Sequence, residues 1–188
     1  MAILEIHVTG DPVLHSVARP VTTVDDDLRR LVADMYETMD LAPGVGLAAP
    51  QIGVPLRLFV YSYEDDDGQP WRGVAINPVL WISPPPVGEL DEEAESEGCL
   101  SVPGERHPLR RAEAAMLIGT DLEGDPVELR VVGWRARILQ HEFDHLNGVL
   151  YVDRLELPHS RRAAKAIRKA GWGVPGISWL PGRDDLEG

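Results

Sequence analysis

Histidines at 141 and 145, with a glutamate at 142, are the residues of this chain best placed to do chemistry. On an α-helix a spacing of four puts both imidazoles on one face, about one turn apart. Two neutral rings so placed reach a single divalent cation at roughly 2.0–2.1 Å. Glu142 then falls beside the metal rather than on it, where a general base for a metal-activated water belongs. The competing reading is a surface helix that merely carries two histidines. Against it, Ile138, Leu139 and Phe143 make the helix apolar enough to be buried. Buried imidazoles among carboxylates need a physical reason, and a metal supplies one.

Several hydrolase classes share a His-Glu-x-x-His helix, and the third ligand separates them. One class continues through a glycine to a third histidine; here Gly148 is present but Tyr151 stands at the ligand position. A second class uses a downstream glutamate. The nearest acids, Asp153 and Glu156, follow too closely on a strand-like exit at Val149–Val152 and read as a solvated loop. There remains Cys99, the only cysteine, 42 residues before His141. A lone cysteine forms no intramolecular disulfide and suits a reducing compartment. Most such residues are small buried hydrophobes. The segment Glu97-Gly98-Cys99-Leu100-Ser101, however, follows an acidic stretch and is not embedded in an apolar strand. A thiolate there, held charged by the metal, completes a Cys-His-His set with one position open, the layout of a catalytic site.

The elements that must position these residues are legible in outline. Asp25 to Met39 reads as a helix with an acidic start, an apolar stripe of Leu28, Leu31, Val32, Met35 and Met39, and a stop at Pro43-Gly44. Leu56–Tyr61, Val74–Ile76, Val79–Ile82 and Ala115–Ile118 read as strands. Val127–Val132 pairs with the last of these across the Glu123-Gly124-Asp125 turn. The His-bearing helix runs from Gly133 to about Asn147, stopped by Gly148. A final helix, Ser160–Ala170, is stopped by Gly171, and Arg183 to Gly188 are expected to be loose. Strands clustered ahead of a helix, with little βαβ alternation, predict an α+β fold: antiparallel strands packed around a central metal-binding helix, in one domain over 1–188.

At 188 residues and a formal net charge of −13, the chain is a poor candidate for coating nucleic acid or anionic membrane with its whole surface, and no DNA partner is expected. No apolar run approaches the roughly 18 residues needed to cross a bilayer. Met1 to Pro20 has neither a basic start nor an apolar signal core, so a cytoplasmic location is expected. One local exception to the acidity is Arg161, Arg162, Lys165, Arg168 and Lys169, within a stretch that contains no acid. At helical spacing Arg161, Lys165 and Arg168 form a cationic stripe, and Ala163, Ile167 and Ala170 an apolar one.

With these residues assembled, the chain resembles the peptide deformylase family. The likeness is carried by Gly44-Val45-Gly46-Leu47-Ala48-Ala49-Pro50-Gln51, Glu97-Gly98-Cys99-Leu100-Ser101 and His141-Glu142-Phe143-Asp144-His145, in matching order and spacing, over most of Ile3 to Leu155. The resemblance implies a metal-dependent hydrolase that removes the formyl group from N-formylmethionine of new proteins. It implies Cys99, His141 and His145 as metal ligands, Glu142 as general base and acid, and Gln51 with the Leu100 backbone N–H as oxyanion donors. It implies ferrous iron in the cell, with zinc or nickel able to replace it. The backbone around Gly44, Val45 and Gly46 would pair with substrate amides, and Arg106 would bind substrate.

Trp134 and Ile138, on the stripe of His141, line the methionine pocket or belong to the core. Arg137, on the same stripe, departs from the aliphatic residue the family leads one to expect; its stem would form wall while its guanidinium reaches outward. Glu97 and Arg111 would form a buried pair holding the Cys99 loop, and Asp144 is assigned no chemistry. The basic helix is a solvated face or, as in some family members, a contact for ribosomal RNA near the emerging nascent chain. Two other functions compete: a paralogue acting on a different formylated or acylated substrate, and a metal-binding scaffold without catalysis. Substrate comparison tests the first, and the presence of Glu142 and Gln51 weighs against the second.

Overall fold

The computed structural model describes residues 2–64, 68–184 and 186. A two-residue strand, β1 (Ile6–His7), precedes helix α1 (Asp26–Leu41), whose cap Asp25 accepts a hydrogen bond from the Leu28 N–H at 2.9 Å. That cap and the acids Asp26 and Asp27 satisfy orphan N–H groups and oppose the helix dipole. Leu28, Val32, Met35 and Met39 form the buried stripe that the spacing predicts.

Next come β2 (Gly46–Ala48), β3 (Leu58–Glu64) and β4 (Pro70–Ile82), then a separate hairpin of β5 (Ser96–Cys99) and β6 (Val102–Pro108), then β7 (Ala114–Thr120) and β8 (Pro126–Val132). The main sheet is antiparallel in the order β2-β3-β4-β7-β8. Helix α2 (Gly133–Leu146) follows, then α3 (His159–Lys169) and a last short strand, β9 (Ser178–Trp179), paired with β1. Side chains alternate across a strand, and β3 is buried on both faces. Leu58 and Val60 join Met35 and Met39 of α1 in one core, while Phe59 and Tyr61 meet Ile138, Leu139 and Leu146 of α2 in another. The α+β fold is thus a sheet held between α1 and the histidine-bearing helix.

The C-terminal end of α2 is fixed by a glycine and by a distant arginine. Gly148 has φ +72°, and a Cβ there would lie 2.7 Å from the Ser16 backbone nitrogen, so only glycine fits the stop. The Arg57 guanidinium donates to the Leu146 carbonyl at 3.3 Å and to Asn147 Oδ1 at 3.1 Å, and lies 4.9 Å from the Phe143 ring centroid. It caps the carbonyl end of the helix from the residue just before β3.

Several expectations are corrected. The segments read as separate strands at Val74–Ile76 and Val79–Ile82 belong to one strand, with a bulge between Ile76 and Val79. Asn77 takes φ +51° there, and its carboxamide bonds both the N–H and the C=O of Val21 at 2.8 Å, while Pro78 has no N–H to pair. The hairpin β5–β6 escaped notice because Glu97, Arg106 and His107 give it no apolar alternation. The exit at Val149–Val152 is not strand-like: Tyr151–Arg154 form a single 3₁₀ turn, with the exposed Asp153 accepting from the Leu150 N–H at 2.8 Å. The looseness expected from Arg183 onward fails for Arg183 and Asp184, which close a turn in which Asp184 accepts from the Leu180 N–H at 2.7 Å. Asp185, Glu187 and Gly188 lie outside the described residues.

Candidate metal centre

Cys99, the last residue of β5, meets His141 and His145 of α2 in a group whose donor atoms all lie within 4.8 Å of one another. The Cys99 Sγ is 3.3 Å from His145 Nε2, which is 3.2 Å from His141 Nε2. Ligands on nitrogen bonds of about 2.0–2.1 Å and a sulfur bond of about 2.3 Å around a tetrahedral ion sit about 3.3–3.6 Å apart. The observed separations suit such an ion closely, and three donors leave a fourth position open. The soft thiolate with two imidazoles is a donor set for a divalent transition metal.

A carboxylate behind the site sets which nitrogen of His141 faces it. Glu97 Oε1 lies 3.1 Å from His141 Nδ1, which leaves Nε2 with its lone pair toward Cys99 and His145. Glu97 is itself buried and bidentate with Arg111, at 2.6 and 3.2 Å. Burial alone would raise its pKa, but His141 and Arg111 hold the carboxyl well below the usual carboxylate range. The expected pair is therefore present, and it extends further. Arg111 also donates to Asp144 at 2.6 Å, and Arg154 reaches the same carboxylate at 2.6 and 2.7 Å. Asp144, which the sequence left without a task, anchors the helix between two guanidinium groups.

Arg137 corrects an expectation. Its guanidinium does not reach outward: Nη1 donates to Glu97 Oε2 at 2.8 Å and to the carbonyls of Leu109 at 2.8 Å and Glu95 at 3.2 Å. An arginine among carboxylate and carbonyl acceptors turns toward them, because burial beside unmatched acceptors costs more than losing solvent at one end.

Glu142 is 3 % exposed, and its Oε2 has no hydrogen-bond partner. Burial pushes its carboxyl up to about 7, against the opposing pull of His141. It reaches the cleft past Gly46, where a Cβ would lie only 2.2 Å from Glu142 Oε1. The glycine thus seats Glu142, a task that the sequence reading, concerned with substrate approach, did not assign. Gln51 is buried at the other side. Its Oε1 accepts from the Ala48 N–H at 2.8 Å, which turns Nε2 toward Cys99 Sγ at 3.7 Å and Ser101 Oγ at 3.3 Å.

One cleft joins the remaining residues that the sequence singled out. Gly44, Val45, Gly46, Gln51, Cys99, Leu100, Arg106, Trp134, Ile138, His141 and Glu142 all line it, while His145 lies behind them, 1 % exposed. Arg106 is exposed at the mouth and Trp134, 41 % exposed, is a wall rather than core. Ile138 serves both roles: it lines the cleft and packs with Phe59 and Leu139. Tyr63 and Gly98 also line the cleft and were not singled out for it; Gly98 sits inside the Cys99 motif and was within reach of sequence reasoning.

An amide or ester could be held in this cleft against an activated water, an acid–base group tuned near neutrality and amide donors, which are the working parts of a metal-assisted hydrolase. The family model of polypeptide deformylase matches residues 3–161. A peptide deformylase of Rhodococcus opacus is 53% identical over 186 residues, covering 97% of this chain and 95% of that one. Among solved structures, a peptide deformylase of Synechococcus elongatus in complex with actinonin superimposes with a TM-score of 0.78 at 39% identity, over 93% of this chain and 92% of that one. Another, from Acinetobacter baumannii with Met-Ala-Ser bound, gives 0.72 at 35% identity, over 82% of this chain and 99% of that one. The chain belongs to the polypeptide deformylase family.

Proposed function

We propose that this protein removes the N-formyl group from N-formylmethionine at the start of newly made peptides, releasing formate, in the cytoplasm. Cys99, His141 and His145 hold one divalent metal, ferrous iron in the cell, with zinc or nickel able to take its place. When bound, the metal lowers the pKa of a water and polarises the formyl oxygen. The observation that carries this reading is Glu142: a buried carboxyl with a free oxygen, tuned to about 7, beside the ligand set and facing the cleft.

The chain's own residues divide the remaining work. Glu142 takes the proton of the attacking water and returns it to the departing amine, which a group of pKa near the working pH does in both directions. Negative charge growing on the formyl oxygen meets the Gln51 amide and the Leu100 backbone N–H, and loss of one such donor typically costs about 10²–10³ in rate. Strand β2 is the outer strand of its sheet, so a peptide laid along Gly44–Gly46 adds as a further strand, bound by backbone and tolerant of sequence. The methionine side chain fits between Trp134 and Ile138. Arg106 at the mouth suits the carbonyls of later residues.

Support for the substrate comes from the family and from the Met-Ala-Ser complex of the Acinetobacter baumannii relative, a peptide that begins with methionine. Helix α3 is the proposed contact with ribosomal RNA: Arg161, Arg162, Lys165, Arg168 and Lys169 are all exposed and none forms an ion pair among the described residues. No helix among the described residues is long and apolar enough to cross a membrane.

Anaerobically purified protein should release formate from a formyl-Met tripeptide, and Glu142→Gln should lose about 10²–10⁴ of that rate while retaining its metal. No formate from the wild type, or a variant within a factor of ten of it, overturns the reading. Alkylation of Cys99 should be blocked until a chelator is added, because a ligated thiolate is not free to attack.

A further inference from the structure

The turn that follows Cys99 is held by the two ends of the chain. Of its two consecutive carbonyls, that of Ser101 accepts from the Thr9 N–H at 2.8 Å, and that of Leu100 accepts from the Trp179 indole N–H at 2.9 Å. Trp179 is 3 % exposed and pairs with Ile6 in the strand pair β1–β9. The segment before it is tied to the same N-terminal strand by the Val8 N–H to the Ile177 carbonyl and the Gly173 N–H to the Thr9 carbonyl, each at 2.9 Å. Gly10 and Gly173 touch backbone to backbone: a Cβ on Gly10 would lie 2.3 Å from the Gly173 carbonyl carbon. This whole C-terminal segment lies beyond residues 3–161, the part that the family model matches.

We propose that Trp179 is a positioning residue for the reaction: its indole N–H on the Leu100 carbonyl fixes the backbone that presents the Leu100 N–H to the developing oxyanion. The inference rests on the deformylase reading and on Leu100 as an oxyanion donor. Its physical basis is that a backbone donor stabilises charge only when its direction is set before the charge appears. Leu100 lies in the two-residue turn between β5 and β6, just outside the ladder whose last pair is Cys99 with Val102. The backbone bonds of turns and loops among the described residues do not use its N–H. Beyond that closing pair, the turn is held through its carbonyls and through contact of the Leu100 side chain with Gly44, where a Cβ would sit 3.0 Å from Leu100 Cδ1. Trp179 supplies a hold on the residue whose N–H matters, from a segment beyond residues 3–161.

The test compares Trp179→Phe, which keeps a ring in the core and removes the donor, with Ile177→Ala, which loosens the same packing without touching the Leu100 carbonyl. Formate release from a formyl-Met tripeptide is measured for kcat and KM separately, with thermal midpoints and metal content alongside. One hydrogen bond's worth of misalignment predicts a kcat about three- to tenfold lower for Trp179→Phe, with KM within about twofold and metal retained. Ile177→Ala should lower the midpoint and leave kcat at the wild-type value. Should Trp179→Phe fail to fold, ligation of a C-terminal peptide carrying benzothienylalanine at 179 replaces the indole N–H by sulfur at nearly constant shape, and the same drop in kcat is expected. Wild-type kcat in either donorless protein, or an equal loss in Ile177→Ala, overturns the role of Trp179 and leaves the deformylase reading standing. A wild type without formate release overturns that reading, and this one with it.

Discussion

Around Glu97 and Asp144 the cationic side chains are paired with carboxylates, Arg111 deeply buried among them; along α3 they are exposed and form no ion pair among the described residues. Arg111 and Glu97, 6% and 5% exposed at the side chain, meet at 2.6 Å, and Arg137 and Arg154 close the same network from either side. Arg161, Lys165 and Arg168 of α3 are exposed on one stripe. The two regions use the same residue types for opposite ends. A buried guanidinium is useful for its geometry: it holds a carboxylate in place, and through Glu97 it holds the imidazole of His141. An exposed one is useful for its field, available to an anion that arrives from outside.

The comparison breaks most visibly at Arg111. Replacing it by Met takes from Glu97 and Asp144 the deeply buried guanidinium they share and leaves only Arg137 and Arg154 to hold them. Breaking a buried pair outright costs about 3–5 kcal/mol, so a cost up to that size is expected, with a lower thermal midpoint and less metal in the purified protein. A variant as stable as the wild type would mean that Glu97 and Asp144 do not depend on Arg111. A milder break is Glu97→Gln. The amide still accepts a hydrogen bond but no longer holds the imidazole by charge, and metal affinity should drop about 10–100-fold in a competition titration with a chromophoric chelator. Unchanged affinity would show that the orientation of His141 comes from packing alone.

The smallest effect on the protein itself is expected on the other side of the comparison. Changing Arg161, Lys165 and Arg168 together to Glu should alter folding stability by no more than about 0.5 kcal/mol per site and leave formate release from a tripeptide untouched. Co-sedimentation with ribosomes should nevertheless be lost, and the wild type's binding should weaken steeply with salt. Equal sedimentation of both proteins across low and moderate salt would reduce α3 to a solvated face.

How much of this was legible beforehand differs by element. His141, Glu142 and His145 could be placed on one helix from spacing alone, because a period of 3.6 residues turns sequence distance into direction. Helix α1 was readable with its acidic start and apolar stripe for the same reason, though not Asp25 as its cap, and the end of α2 because Gly148 stands where a left-handed residue must. Strands β2, β5 and β6 were not, since they are short or polar and their pairing is with residues far along the chain. Neither was the inward turn of Arg137, which depends on acceptors that loops bring to it.

By itself the sequence determined the chemistry on offer: a thiol, two imidazoles and a carboxyl with a helix to carry three of them, and an acidic chain with one basic stretch. Tertiary structure alone decided which nitrogen of His141 faces the thiol, why Gly46 must lack a side chain, and that the indole of Trp179 rests on the Leu100 carbonyl. The physical reason is range. Helical direction follows from neighbours three and four residues away, whereas a hydrogen bond between residues 79 apart, or a carboxylate 44 residues from its imidazole, exists only once the core has closed.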